Sequence, residues 1–198
     1  MYLSHQRGFF CKAWGEGKSI TEYVLPRDLP HFCTGCKTCF VKSEELCPHA
    51  DYVRPIWNSM LEADLLVFAS PVYTLRTTAA MKALLDHLCV HWMVHRPDDR
   101  MFQKKAVILT NAIGWIQGGA QKDIATSLKW LGVSQVKKLG IPLMEDAFWT
   151  KLSAGKRQSI GGKTLFAITK MMHQGRARKE SPLSADNQYW LDKGWIKL

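Results

Sequence analysis

Three features of this chain predict an α/β fold built on a parallel, doubly wound sheet. Short apolar runs with the length and composition of buried strands recur at 65–69 and 105–110. Segments with apolar residues at helical spacing lie between them. The strand-like runs end in turn-forming sequence, Ser70-Pro71 in one case and a glycine-bearing stretch in the other. Strands alternating with helices of this length imply parallel pairing through crossovers, and right-handed crossovers leave few topologies.

Residues 20–25 alternate apolar and polar side chains and stop at Pro26, which predicts a short strand. A long cysteine-bearing loop follows over 26–48. Residues 51–63 place Val53, Ile56, Trp57, Met60 and Leu61 on one helical face. Asp64 opens a buried strand ending in Ser70, Pro71, Val72, Tyr73 and Thr74, and the next helix carries Met81, Leu84, Leu85 and Leu88 at i, i+3, i+4 and i+7. In an open parallel sheet, ligands sit beyond the carboxyl ends of strands, so the loop at 70–74 stands where a planar ligand would dock. Pro71 has no amide hydrogen, and it is expected to stiffen this loop and leave the following amides free for a ligand's acceptors. Tyr73 offers a flat face or a hydroxyl.

The strand at 105–110 leads into a flexible loop over 111–119 that holds Gly114, Gly118 and Gly119. A helix over 121–131 points Ile124, Leu128 and Leu131 inward, Gly132 caps it, and 135–141 forms the next strand. Beyond Pro142 the pattern weakens to a basic amphipathic helix over 162–174 with Leu165, Ile168 and Met172 on one side. Two regions result: an α/β domain over 1–146 and a basic extension over 147–198 that packs on it. The tail, with Tyr189, Trp190 and Trp195, is too aromatic for a free linker and is expected to fold back onto the domain or a partner.

A chain of 198 residues suffices for one domain with a real core. It has no run of about 18 apolar residues, and its start lacks the regions of a signal peptide, so a cytoplasmic protein is expected. The net charge of +10 is uneven, because no carboxylate occurs from Ala147 to Lys179 while lysines and arginines continue through that stretch. Such a face could meet an anion. No zinc-finger or RNP-like pattern accompanies it, so nucleic acid is not an expected partner, and a solvated helix face is a simpler reading than a membrane surface.

Four of the six cysteines crowd together, Cys33, Cys36, Cys39 and Cys47, spaced C-x2-C-x2-C-x7-C with Pro48 after the last. The first three match the start of a bacterial ferredoxin run, and Gly35 permits a tight backbone path between thiolates. The four could hold an iron–sulfur cluster such as [4Fe–4S], could hold zinc with His31 or His49 as substitutes, or could stay free or redox-active. His87, His91 and His95 lie four apart and resemble a metal-binding face, although a histidine-rich helix end near an interface is the simpler account.

Taken together, Cys33-Thr34-Gly35-Cys36-Lys37-Thr38-Cys39, Cys47-Pro48-His49, Ala63-Asp64, Ser70-Pro71-Val72-Tyr73 and Met81-Lys82-Ala83-Leu84-Leu85-Asp86 resemble the flavodoxin-like NAD(P)H-dependent FMN reductases. The likeness is greatest to their cysteine-rich branch, which includes the iron–sulfur flavoproteins. It covers 20–141 and extends loosely to the aromatic tail. The resemblance implies FMN as cofactor, with Ser70, Pro71, Val72, Tyr73 and Thr74 against the flavin ring and Thr110, Asn111, Gly114, Gly118 and Gly119 in a second loop at its other edge. It implies NAD(P)H as electron donor, a small acceptor or redox protein as recipient, and a homo-oligomer formed through the helix of Lys82 and Asp86. Chemistry would belong to the flavin, so no catalytic side chain is expected.

One departure stands out. Family members begin with an apolar strand and a Gly-Ser-x-Arg-type loop whose amides hold the FMN phosphate, and neither is found here. Residues 1–17 read instead as the latter part of the helix that follows that loop, with Phe9, Phe10 and Trp14 buried. In the order 2-1-3-4-5 the absent strand is central, which leaves a degenerate or truncated non-catalytic protein with impaired FMN binding as the alternative function.

Overall fold

The computed structural model describes residues 19–133, 135–143 and 152–176, with side chains described up to 171. The readings for residues 1–17 and for the aromatic tail lie outside these residues. Among the described residues three parallel strands form one sheet in the order β1-β2-β3: β1 Leu65–Pro71, β2 Lys105–Ala112 and β3 Gln135–Pro142. Leu65 registers with Lys105 and Pro71 with Asn111, while Lys105 registers with Gln135 and Ala112 with Pro142. The two ladders run on past the apolar cores of the strands because Asn111 and Ala112 still find partners in β3.

Alternation decides which residues face which layer. Leu66 and Phe68 of β1, with Ala106 and Ile108 of β2, point to one face. Helices α2 (Ala50–Glu62), α3 (Ala79–Leu88) and α5 (Gly118–Trp130) cover it with Ile56, Trp57, Met60, Leu84, Leu88, Ile124 and Leu128. Short helices α1 (Thr38–Val41) and α4 (Val90–Met93) complete the set before α6, Ala154–Arg176. Val107 and Leu109 point the other way, where Ile168 and Met171 of α6 cover them. Both faces of the sheet are therefore buried, as the doubly wound expectation requires. At about 25 cal/mol per Å2 of apolar surface, each fully buried leucine or isoleucine here contributes about 1.5–3 kcal/mol.

The strand expected over 20–25 is absent. Tyr23 instead directs its hydroxyl to the Pro55 carbonyl at 2.9 Å and to Ser59 at 2.8 Å, and Val24 N–H donates to the Asp28 carboxylate at 2.6 Å. Alternating sequence makes a strand only where a ladder neighbour exists, and among the described residues this segment has none. Tyr23 and Leu25 pack on the core that α2 helps to form, while Ile20 packs on the cluster of Val107 and Ile168 at the other face of the sheet.

Helix α6 begins at Ala154, earlier than expected, and runs through Gly161 and Gly162. Each glycine costs about 1 kcal/mol relative to alanine, and burial of the surrounding face offsets that cost. The buried stripe is Ile160, Thr164, Ala167, Ile168 and Met171, so Leu165 is only half-buried and the expected Leu165–Ile168 face is rotated. Met172 lies beyond the described side chains. Gly132 holds φ at +99° after α5, where a Cβ would meet the Phe102 ring at 2.7 Å, as a helix-ending glycine should.

No helix among the described residues is long and apolar enough to cross a membrane.

Candidate functional site

Two groups of residues stand at opposite ends of α3. The first is the pair of loops at the carboxyl edge of the sheet. After β1 the chain makes a tight turn in which Tyr73 and Arg76 exchange both backbone hydrogen bonds at 3.0 Å. The central residues, Thr74 and Leu75, have φ of 50° and 62°. Two consecutive non-glycine residues at positive φ are costly, of order 1–2 kcal/mol each, and such strain gathers at functional loops.

Ser70 is buried and engaged within the loop: its hydroxyl lies 2.9 Å from the Pro71 carbonyl and 3.1 Å from the Thr77 hydroxyl. The amides after Pro71 are not free as expected, for Val72 N–H donates to the Asn111 carbonyl at 2.9 Å and Tyr73 N–H to Arg76. The strand ladder, which keeps its register through Pro71 and Asn111, consumes the first of these donors, and the turn back to Arg76 consumes the second. The amides of Thr74 and Leu75, further along, take no hydrogen bond among the described residues.

The second loop is held from below. Thr110 is buried and donates to Gln117 Oε1 at 2.8 Å, Gln121 donates to Thr110 at 2.9 Å, and Ile141 N–H reaches the same Gln117 oxygen at 3.2 Å. Gly119 is required by packing, since a Cβ there would overlap the Leu75 carbonyl of the first loop. Gly114 and Gly118 face open space. An ion pair between Arg76 and Asp123, whose carboxylate also accepts from Thr77 N–H at 3.3 Å, ties the first loop to α5. Burial opposes that charge on Asp123, and Arg76 and Thr77 outweigh it, so its carboxyl stays below its ordinary range. Above this frame Tyr73 is 65% exposed, Trp115 is 75% exposed, and Leu75, Ile113 and Ile116 are also exposed. These side chains form an exposed apolar rim at the carboxyl ends of the parallel strands.

The second group lies about 15 Å away along α3, counted from its ten residues. Cys33, Cys36, Cys39 and Cys47 all line a cavity of about 250 Å3. Cys89, which the sequence sets apart, lines it too. Burial raises the Cys39 thiol, and nearby Cys47, Cys33 and Cys36 raise it further. Burial likewise pushes Cys89 up to about 11. Cys36 goes the other way, held below its ordinary value by hydrogen bonding from Thr38. Four thiols around one cavity make a donor set that, once deprotonated, fits in kind either an iron–sulfur cluster or zinc.

Among the described residues, the His and Cys side chains whose ligand atoms lie within 4.8 Å of one another are Cys47, His49 and His87. His31 stacks on His49 with ring centroids 4.7 Å apart. Burial, then His87 and His31, lowers the His49 pKa. The three histidines expected on one face do not share a helix, because α3 ends at Leu88. His87 turns to His49, while His91 stacks on Trp57 at 3.6 Å. Sequence reasoning left His87 among those three. Its only signal was its place three residues after Leu84, on the buried phase of α3.

A parallel α/β sheet covered on both faces, with two loops meeting at its carboxyl edge and a thiol-lined cavity at the far end of α3, defines the class of fold. Residues 13–142 match the model of the NADPH-dependent FMN reductase family, and the chain belongs to that family. It is 39% identical over 67 residues to an iron-sulfur flavoprotein of Archaeoglobus fulgidus, covering 34% of this chain and 29% of that protein. It is 43% identical over 54 residues to an iron-sulfur flavoprotein of Methanocaldococcus jannaschii, covering 27% of each. The matched segments thus span about a third or less of these relatives. The fold is similar to that of an FMN-dependent NADH-azoreductase from Bacillus anthracis, at 12% identity and a TM-score of 0.61, covering 85% of this chain and 88% of that one. It is also similar to Smu.1420 from Streptococcus mutans, at 15% identity and a TM-score of 0.54, covering 84% and 90%.

Proposed function

We propose that this chain belongs to an FMN-dependent oxidoreductase that takes electrons from NAD(P)H and passes them, by way of a [4Fe–4S] cluster on Cys33, Cys36, Cys39 and Cys47, to a small acceptor or a redox protein. The observation that supports this reading is that the Tyr73 loop leads into the start of α3, the Trp115 loop meets it where Gly119 lies against the Leu75 carbonyl, and the four-cysteine cavity stands at the end of the same helix. FMN, when bound, supplies hydride acceptance and release of one or two electrons. The Thr74 and Leu75 amides would donate to the ring's acceptors, and the Tyr73 and Trp115 faces would shield it from water. Thr110, Gln117 and Gln121 hold the second loop in place for that contact. The exposed Lys82–Asp86 pair on α3 would face a second copy of the chain.

The reading is tested with anaerobically prepared protein. Flavin fluorescence should be quenched on titration with FMN, the FMN-loaded protein should oxidise NAD(P)H, and iron and sulfide should approach four per chain, the content of one cubane. Unquenched FMN would overturn the flavin reading. Iron below about one per chain after reconstitution would overturn the cluster while leaving the flavin reading intact.

A further inference from the structure

From the convergence of Cys47, His49 and His87 we infer a second use of this corner of the protein: a site for one divalent ion of the zinc class, bound by one thiolate and two imidazoles with a fourth position open to the cysteine cavity. The three residues come from two places in the chain, the loop entering α2 and the buried side of α3, and their ligand atoms lie within 4.8 Å of one another. His87 is 6% exposed, and its Nδ1 lies 2.7 Å from the Ala83 carbonyl. A carbonyl can only accept, so Nδ1 carries the proton and Nε2 presents its lone pair. An imidazole fixed by a backbone carbonyl on one nitrogen is the usual outer support of a metal-bound histidine.

That Nε2 faces His49 Nδ1 at 3.0 Å. Two zinc–nitrogen bonds of about 2.0–2.1 Å at the tetrahedral angle separate their nitrogens by about 3.3 Å, so the pair needs only a small opening to admit an ion between them. His31, stacked on His49, keeps that ring from turning away. On binding, the Cys47 thiol loses its proton to solvent, and His49 carries its proton on Nε2 instead of Nδ1. No oxidation or reduction is involved.

Cys47 also belongs to the four thiols assigned to the cluster, so the ion and the cluster exclude each other on one chain. The ion site itself does not rest on the cluster, since it uses neither Cys33 nor Cys36. A site with three protein ligands keeps a position for water or a further ligand, and Cys89 lines the same cavity.

The test is titration of the metal-free, reduced full chain with Co2+, followed through its tetrahedral visible bands and the thiolate charge-transfer band. One Co2+ per chain is expected, displaced by Zn2+. Cys47→Ser should abolish the charge-transfer band. His49→Gln and His87→Asn should weaken binding by more than about 100-fold, beyond the loss that an outer-shell partner causes. Cys33→Ser and Cys36→Ser should leave Co2+ binding within about threefold of the parent while preventing cluster formation. Because His87 is buried, circular dichroism of His87→Asn accompanies the titration, and the half-buried Cys47 and His49 variants carry the conclusion if that one misfolds. Binding lost in Cys33→Ser and Cys36→Ser but kept in His49→Gln would overturn the proposal in favour of a four-thiolate site, and so would a parent chain that takes up no Co2+.

Discussion

The guanidinium of Arg96 donates to the carbonyl of Cys39 at 2.8 Å, across 57 residues of sequence. The same group reaches the Phe40 and Lys42 carbonyls at 3.2 and 3.3 Å and the Glu44 carboxylate at 3.1 Å. The three carbonyls are acceptors that the end of α1 leaves without intrahelical partners, so one side chain from beyond α4 closes the cysteine loop over its cavity.

Replacing Arg96 should therefore loosen that loop more than a surface ion pair would. Arg96→Ala is expected to lose about 1–3 kcal/mol of stability, read by urea unfolding, and to lower iron content after reconstitution. Arg96→Lys should recover little of either, because an ammonium cannot span three carbonyls. Glu44→Ala should cost under about 1 kcal/mol, since that contact is exposed.

Gly118 and Gly119 make an internal control for the joint between the two loops at the carboxyl edge of the sheet. Both lie in the first turn of α5, where alanine is intrinsically better than glycine by up to about 1 kcal/mol. Gly118→Ala, facing open space, should be neutral or stabilising. Gly119→Ala should instead destabilise by about 1–3 kcal/mol, because its methyl group must displace the Leu75 carbonyl. Thermal melts of the two variants should move in opposite directions.

Much of the fold was legible because it rests on local periodicity. The apolar run of Leu66, Val67, Phe68 and Ala69 announces a strand buried on both sides, and Ile124 and Leu128 at helical spacing announce both a helix and its buried face. Residues 20–25 misled because alternation describes a strand's faces but says nothing about whether a neighbour pairs with it. Pro71 misled for a related reason, since the ladder continues one residue further and takes the Val72 amide, and the turn back to Arg76 takes that of Tyr73. The spacing of Cys33, Cys36, Cys39 and Cys47 pointed to one cavity, but Cys89, His87 and Arg96 join that corner only through tertiary packing. No spacing rule connects residues separated by 38 or 57 positions.

Tyr73 and Trp115 should show the signature of binding residues rather than core residues. Both are largely exposed, so Tyr73→Ala and Trp115→Ala should change stability by no more than about 0.5 kcal/mol. Each should weaken FMN by about 0.5–1.5 kcal/mol, roughly two- to tenfold in Kd by fluorescence quenching, if its ring packs on the flavin. Unchanged affinity in both variants would remove these loops from the flavin site.

His91 makes stability depend on pH. It is 6% exposed and stacked on Trp57, and burial drives its pKa down to about 4, with Glu44 and Asp98 opposing and Arg96 assisting. A base with a folded pKa below its unfolded value of about 6.5 takes up its proton more readily when unfolded. Its contribution is therefore intact at neutral pH and is lost as pH falls from about 6.5 towards 4. Between pH 7 and pH 5 the loss should be about 2 kcal/mol, read as a lower urea midpoint. His91→Phe keeps the stacked ring without the titrating group, and it should flatten that slope while leaving the midpoint at pH 7 within about 1 kcal/mol of the parent. An equally steep slope in His91→Phe would assign the pH dependence to another group.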